Sequence, residues 1–153
     1  MTNVISVRKA NHADVQLIAS FAASMALETE GNTLDIEIAR QASEAVLRDP
    51  LLGFYLVAVK SEEPVGSLLI TFEWSDWRNA MRWWIQSVFV VSTHRGTGVY
   101  RQLYKEVQRL AQQAGNVCGV RLYVEQNNCT AQTTYRKLGM TQAPYLIFEA
   151  EID

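Results

Sequence analysis

The chain has 153 residues and a formal charge of −2, from 14 Lys plus Arg against 16 Asp plus Glu. Hydrophobic residues make up 48%, which excludes a disordered chain, and eight glycines with three prolines exclude a collagen-like or linker-rich one. Slight net acidity argues against a general nucleic-acid coat, and the two cysteines, Cys118 and Cys129, are too few for a disulfide scaffold. The length predicts one domain over 1–153, and no repeat or linker divides it. Val4 to Arg8 alternates and reads as an opening strand. Asn11 then caps a helix, with Asp14 three residues on and Val15, Ile18, Ala19, Ala22, Met25 and Ala26 as its apolar face. Gly31 ends it. A second helix is expected from Asn32 or Thr33, with Asp35 and Glu37 in its first turn and Leu34, Ile38, Ala42 and Ala45 as its stripe. Asp49-Pro50 closes that helix, because proline disfavours helix at the residue before it.

From Gly53 the period changes. Phe54 to Val59 and Val65 to Phe72 are expected to form a hairpin through a Glu63-Pro64 turn. The polar, aromatic stretch Glu73 to Asn79 reads as a loop, and Arg82 to Val91 as a long apolar strand. His94 to Gly98 is a turn. A helix follows from about Val99, with Leu103, Val107, Leu110, Ala111 and Ala114 as its stripe and Gly115 as its end. Val117 to Val124 reads as a strand, Cys129 to Leu138 as a helix ended by Gly139, and Tyr145 to Ala150 as a final strand. The predicted order, β-α-α-β-β-β-turn-α-β-α-β, is a mixed α/β arrangement with helices packed on a central sheet. It is not the regular alternation of a doubly wound dinucleotide fold.

Two segments carry chemistry. Arg95-Gly96-Thr97-Gly98-Val99-Tyr100 lies between a strand and a helix. Glycines let the backbone turn sharply near a ligand. The first amides of a helix lack partners within the helix and sit at the positive end of its dipole, which suits a phosphate. His94, Arg95, Arg101 and Lys105 add local positive charge. The alternative is a glycine turn with nothing bound. Neither the G-x-x-x-x-G-K nor the G-x-G-x-x-G pattern occurs. In the second segment, Asn128 and Tyr135 are seven positions apart, close to two helical turns, and so share one face. An amide and a phenol spaced this way can follow an extended ligand and give a proton at one end. Equally, Asn128 can be a helix cap and Tyr135 a core residue.

These motifs, in this order, resemble the GNAT superfamily of acetyl-coenzyme A dependent N-acetyltransferases over nearly the whole chain. The strand Ile85 to Val91 leads into R-x-x-G-x-[G/A], matched at Arg95 and Gly98 and ended by Tyr100. The pattern N-x-x-A-x-x-x-Y-x-x-x-G-[F/M] is matched at Asn128, Ala131, Tyr135, Gly139 and Met140. The resemblance implies a mixed, mostly antiparallel sheet flanked by helices, and acetyl-CoA as co-substrate with no metal. It also implies roles. Val88, Phe89 and Val90 would form a splayed or bulged strand end, where backbone groups of Val88 and Val90 hold the pantetheine arm. Amides of Arg95, Gly96, Thr97, Gly98, Val99, Tyr100 and the basic stretch at Arg101 would cradle the pyrophosphate. Asn128 would contact the pantetheine region, and Tyr135 would protonate the departing thiolate. Two departures stand out: Tyr100 replaces a small residue, which requires its ring to point away from the phosphates, and Gln86 and Ser87 stand where many members carry a glutamate base.

The family layout puts acceptor specificity on the first two helices and on Glu73 to Trp84. Glu28 and Glu30 end the first helix, where acids are unexpected. With Glu73, Trp74, Trp77, Trp84 and Gln86 they make a candidate pocket for a cationic amine, held by charge and by cation–π contact. Alternation puts Trp84 and Gln86 on one face of the strand and Trp83 and Ser87 on the other. Neither cysteine has a histidine partner evident in sequence, so direct attack by the amine is expected, without a covalent intermediate. The competing readings are a non-catalytic acyl-CoA sensor or scaffold and a nucleotide or nucleic-acid binding domain using the same phosphate turn. The expected partner is a small-molecule or peptide amine, with no nucleic acid or membrane partner. No signal peptide or membrane-length apolar run is seen, which gives a cytoplasmic expectation, and exposed aromatics allow a homodimer.

Overall fold

The structure, a computed structural model, describes residues 3–153, which divide into two compact units, one ending at Tyr123 and the other Val124–Asp153. The first unit is built on a five-stranded sheet in chain order: β1 (Ile5–Lys9), β2 (Phe54–Lys60), β3 (Glu63–Ser75), β4 (Ala80–Val90) and β5 (Val117–Leu122). The first three pairings are antiparallel, and β4 with β5 is parallel. A parallel pair needs a long crossover, which the helix α3 (Val99–Ala114) supplies. Helices α1 (Val15–Glu30) and α2 (Ile36–Arg48) lie between β1 and β2 in the chain. The mixed, mostly antiparallel sheet expected from sequence is therefore present.

Neighbouring residues of β3 point to opposite faces of the sheet. Ser67 shares a cavity with Ile18, Phe21 and Ala22 of α1, so that face carries α1. A methyl group on Gly66 would meet Val99 of α3, so the other face carries α3. Leu56, Leu68, Ile70, Ile85, Leu103 and Val107 are fully buried in this core.

Local chemistry shifts several predicted boundaries. Asn11 caps a single 3-10 turn, His12–Asp14, in a reciprocal capping box, and α1 starts only at Val15. Asp14 is held by a two-pronged pair from Arg8, at 2.7 and 2.9 Å. Asp35 does not lie inside α2. It caps the helix, accepting from the amides of Glu37 and Ile38, so the helix begins at Ile36. The later start rotates the buried face to Ala39 and Ser43, and leaves Ile38 exposed with Leu34 outside the helix. The β2–β3 turn is Ser61-Glu62, both with positive φ, and Glu63 and Pro64 pair inside the strands. The expected Glu73 to Asn79 loop shrinks to a hairpin tip, because Glu73, Trp74 and Ser75 pair with Arg82, Met81 and Ala80. Strand β5 stops at Leu122, two residues short of expectation. Cys118 and Cys129 are free thiols, both exposed.

In the second unit, α4 spans Cys129–Lys137. The expected final strand, Tyr145 to Ala150, is absent: these residues carry no strand assignment. Alternation forms a strand only when one face is covered, and here Leu146 and Phe148 are as open as Tyr145 and Ile147.

Candidate functional site

The site is organised by an irregularity in β4. Leu69 pairs with Gln86 but Ser67 pairs with Phe89, so three steps on β4 oppose two on β3. Ser87 takes φ +51°, the mark of a β-bulge. The extra residue resets the alternation. Gln86 and Phe89 both face α1, where Phe89 packs on Phe21 with ring centres 4.9 Å apart. Ser87 thus departs from the simple alternation read from sequence. It lines a cavity of about 30 Å³ with Phe21, Tyr55 and Ser67, room for about one water. Burial pushes the Tyr55 phenol above its ordinary pKa, against the opposing effect of the Ser43 hydroxyl.

The second irregularity is on the other edge. The parallel ladder of β4 with β5 ends at Ile85 and Leu122, yet β4 continues to Val90. Among the described residues no strand pairs with Val88, Phe89 and Val90 on that side. Exposed peptide groups of this kind can receive an extended ligand as a surrogate strand.

Immediately beyond lies the glycine turn. Ser92–His94 makes one 3-10 turn, and Gly96 and Gly98 then take φ +74° and +90°. A side chain at either glycine would meet no heavy atom within 4 Å, so the turn opens outward. Thr97 Oγ1 donates to the His94 carbonyl at 2.6 Å, which fixes the loop. Gly98 precedes α3 without a side-chain cap, so the amides of Val99, Tyr100 and Arg101 start the helix with no carbonyl one turn back. The Tyr100 ring stacks on Tyr104, one turn further along the helix, centroids 6.2 Å apart. That placement carries the large residue along the helix surface.

Arg95 does something the sequence did not signal. Its Nε donates to the Val90 carbonyl at 2.9 Å and its Nη2 to Glu28 at 2.6 Å, while its guanidinium lies 5.7 Å from the Phe89 ring centre. It ties the end of α1 to the end of β4. Its backbone N–H bonds the Ser92 carbonyl at 3.3 Å. Arg95 therefore builds the turn with both side chain and amide, and the outward amides begin after it.

In the second unit Asn128 caps α4, accepting from the Ala131 amide at 3.1 Å, as the simpler of the two sequence readings has it. Tyr135 lies seven residues on, and burial raises its pKa above the ordinary value near 10. The phenol is protonated throughout the neutral range.

The candidate acceptor residues do not form one cluster. Trp77 is 91% exposed at the hairpin tip, and Trp74 is exposed on the face opposite Glu73. Trp83 is core, packed on Phe54 and Phe72. Glu30 accepts from Asn32 at 3.1 Å. Glu28 is taken by Arg95, and Glu73 by Arg121 at 3.1 Å with Arg82 at 3.8 Å. Two of the three acids expected to attract a cationic amine, Glu28 and Glu73, are thus already paired with arginine. Trp84, Gln86 and Glu73 do share the α1 face. Gln86 donates to Thr71 at 2.5 Å, and Trp84 packs on Tyr123 with ring centres 4.5 Å apart and planes tilted by 37°. Arg82, Arg121 and Tyr123 were missed from sequence, since only the β4–β5 register brings them together.

Among the described residues, no three His, Cys, Asp or Glu side chains gather to hold a metal, and no helix is long and apolar enough to cross a membrane.

The profile of the Acetyltransferase (GNAT) family matches residues 18–140. A possible acetyltransferase from Clostridium difficile 630 is similar at 36% identity and TM-score 0.90, over 98% of this chain and 99% of that one. An aminoglycoside N-acetyltransferase in complex with CoA is similar at 16% identity and TM-score 0.79, over 99% and 97%. A ribosomal-protein-alanine N-acetyltransferase from Brucella melitensis is similar at 15% identity and TM-score 0.77, over 97% and 100%. No curated protein matches significantly.

Proposed function

The chain belongs to the Acetyltransferase (GNAT) family, and on that premise we propose that it moves an acetyl group from acetyl-CoA to a primary amine by direct attack in a ternary complex. The observation that carries this reading is the bulged β4 end, open on its β5 side, running into an outward-facing glycine turn and an uncapped helix start. A thioester arm fits the peptide edge of Val88, Phe89 and Val90 on its β5 side, apart from the Val90 carbonyl, which Arg95 Nε already holds. A pyrophosphate fits Gly96, Thr97, Gly98 and the first amides of α3, where donors and helix dipole favour anions. Asn128 contacts the pantetheine region with the part of its amide not spent on capping.

The chemistry then needs few groups. The neutral amine attacks the thioester carbon, the C–S bond breaks, and the thiolate takes a proton from Tyr135. A half-buried phenol held protonated at neutral pH suits that step. The amine's surplus proton leaves through water, and water returns a proton to the Tyr135 phenolate before the next turnover. Gln86 and Thr71 are neutral and bonded to each other, and Glu28 and Glu73 are engaged by arginines.

The test is thermal unfolding with acetyl-CoA, with coenzyme A, and with ATP as a phosphate control. A ligand at a hundredfold excess over Kd stabilises by about 2.7 kcal/mol. A shift with both coenzyme forms and little with ATP, followed by thiol release with an amine panel, is the expected result. No shift at millimolar ligand would leave the fold without this activity.

A further inference from the structure

Arg82 is the unusual group on the α1 face. Its side chain is only 19% exposed, and its one ion-pair contact is Glu73 Oε2 at 3.8 Å, too long for a hydrogen bond. That same oxygen accepts from Arg121 at 3.1 Å. Among the described residues the Arg82 guanidinium makes no hydrogen bond. A largely covered guanidinium in this state is costly unless an anion joins it. The guanidinium is also seated deliberately. Gly119 stands directly opposite Arg82 on β5, and a side chain there would meet Arg82 Nη1 at 3.0 Å. The missing side chain is the slot in which the guanidinium lies.

Along β4, Arg82, Trp84 and Gln86 share one face, and Trp84 with Tyr123 makes an aromatic floor between the other two. From this arrangement we propose that the acceptor is an amine that also bears a remote carboxylate. Arg82 grips the carboxylate, the linker lies over Trp84 and Tyr123, and the amine reaches the β4 bulge. This rests on the acetyl-transfer reading, which puts the thioester at the bulge.

The spacing sets the class. Arg82 and Gln86 are four strand steps apart, about 13 Å, of which the hydrogen bond to the guanidinium at one end and the approach of the amine to the thioester at the other take about 3 Å each. The remaining gap suits an ω-amino acid or the side-chain amine of lysine. It is too long for the α-amine of an amino acid, whose carboxylate is one carbon away. The methylenes of such a linker match the apolar floor, and a guanidinium matches a carboxylate with two parallel bonds.

The test is calorimetric titration of the protein, with and without saturating coenzyme A, using 6-aminohexanoate, hexylamine and glycine. The expected result is that 6-aminohexanoate binds about tenfold or more tighter than either of the others, the size of a charged hydrogen bond. Arg82→Gln should abolish the preference. Gly119→Ala should weaken it while keeping the charge, because its methyl displaces the guanidinium, and it serves should Arg82→Gln fail to fold. In both variants the melting shift given by coenzyme A should persist. Equal binding of 6-aminohexanoate and hexylamine, no binding of either at millimolar concentration, or a preference that survives Arg82→Gln would each overturn the proposal. A carboxylate preference without any coenzyme shift would support the Arg82 site while removing the acetyl-transfer reading.

Discussion

Gly66 is the point where the sheet, α3 and the bulge press on one another, and replacing it with alanine tests that geometry directly. Gly66 pairs with Ala58 on β2 and with Val90 on β4, and its backbone is one that alanine adopts freely. The added methyl would stand 2.9 Å from the Phe89 carbonyl oxygen and 3.0 Å from Val99 Cγ1. Both contacts must open by several tenths of an ångström. One of the groups that must move is backbone of the open edge, and the other belongs to the first residue of α3. Overpacking of this kind costs about 1–3 kcal/mol. Restricting the unfolded chain returns about 0.4–1 kcal/mol. The net loss, on the order of 1 kcal/mol, lowers Tm by about 2–4 °C for a chain of this size. Circular dichroism melts should show that drop, and the stabilisation by coenzyme A should shrink as well. Gly115→Ala is the control. It is strained by φ +79° but has no atom within 4 Å of the new methyl, and it lies at the far end of α3. It should lower Tm while leaving the coenzyme effect whole. An unchanged or higher Tm in Gly66→Ala, with full coenzyme stabilisation, would refute the reasoning.

Other outcomes follow from the same structure. Tyr135→Phe should lower kcat on the order of a hundredfold while the melting shift given by coenzyme A remains; an unchanged kcat would remove Tyr135 as the acid. The Asp14 carboxyl is held below its ordinary pKa by the hydrogen bonds from Arg8, with the Asn11 amide helping. Its contribution to stability is complete above the unfolded value near 3.8 and is lost as pH falls through the lower folded value. Asp14→Asn should therefore destabilise at neutral pH in urea titrations and converge with the parent in strong acid. Leu68→Ala, at a fully buried position, should cost about 2–5 kcal/mol in the same titrations. Glu28→Gln breaks a half-exposed pair and should change stability by less than about 1 kcal/mol.

Much of the frame was legible because its signals are local. The glycines that end α1 and α3 stand where the sequence placed the helix ends, both in the left-handed region, and the turn before α3 lies where glycine chemistry put it. The bulge came from the family resemblance and not from alternation, which would have set Ser87 on the wrong face. The errors arose where a short-range signal met a long-range decision. Asp35 reads equally as a first-turn acid or a cap, and only backbone geometry chooses the cap. Tyr145 to Ala150 alternates well enough for a strand, but a strand also needs a neighbour to pair with and a surface to cover one face. The site was half legible for the same reason. Motifs mark the phosphate turn. Nothing in the local sequence says that Arg95 reaches Glu28, sixty-seven positions away, or that Arg121 and Arg82 converge on Glu73.

The bulge also sets a rule for how this chain can change. It acts as a reading-frame marker within β4: the residues before it and those after it are counted from different starting points. Delete the extra residue there and β4 matches β3 step for step: Phe89 keeps its place opposite Ser67 and against Phe21, but the bulge itself is gone. Substitution at Ser87 changes one side chain, but loss of the extra residue removes the irregular strand end that organises the site. Insertions and deletions are confined by this logic to the hairpin tip between Ser75 and Ala80, where Trp77 is already in solvent and no register depends on the count.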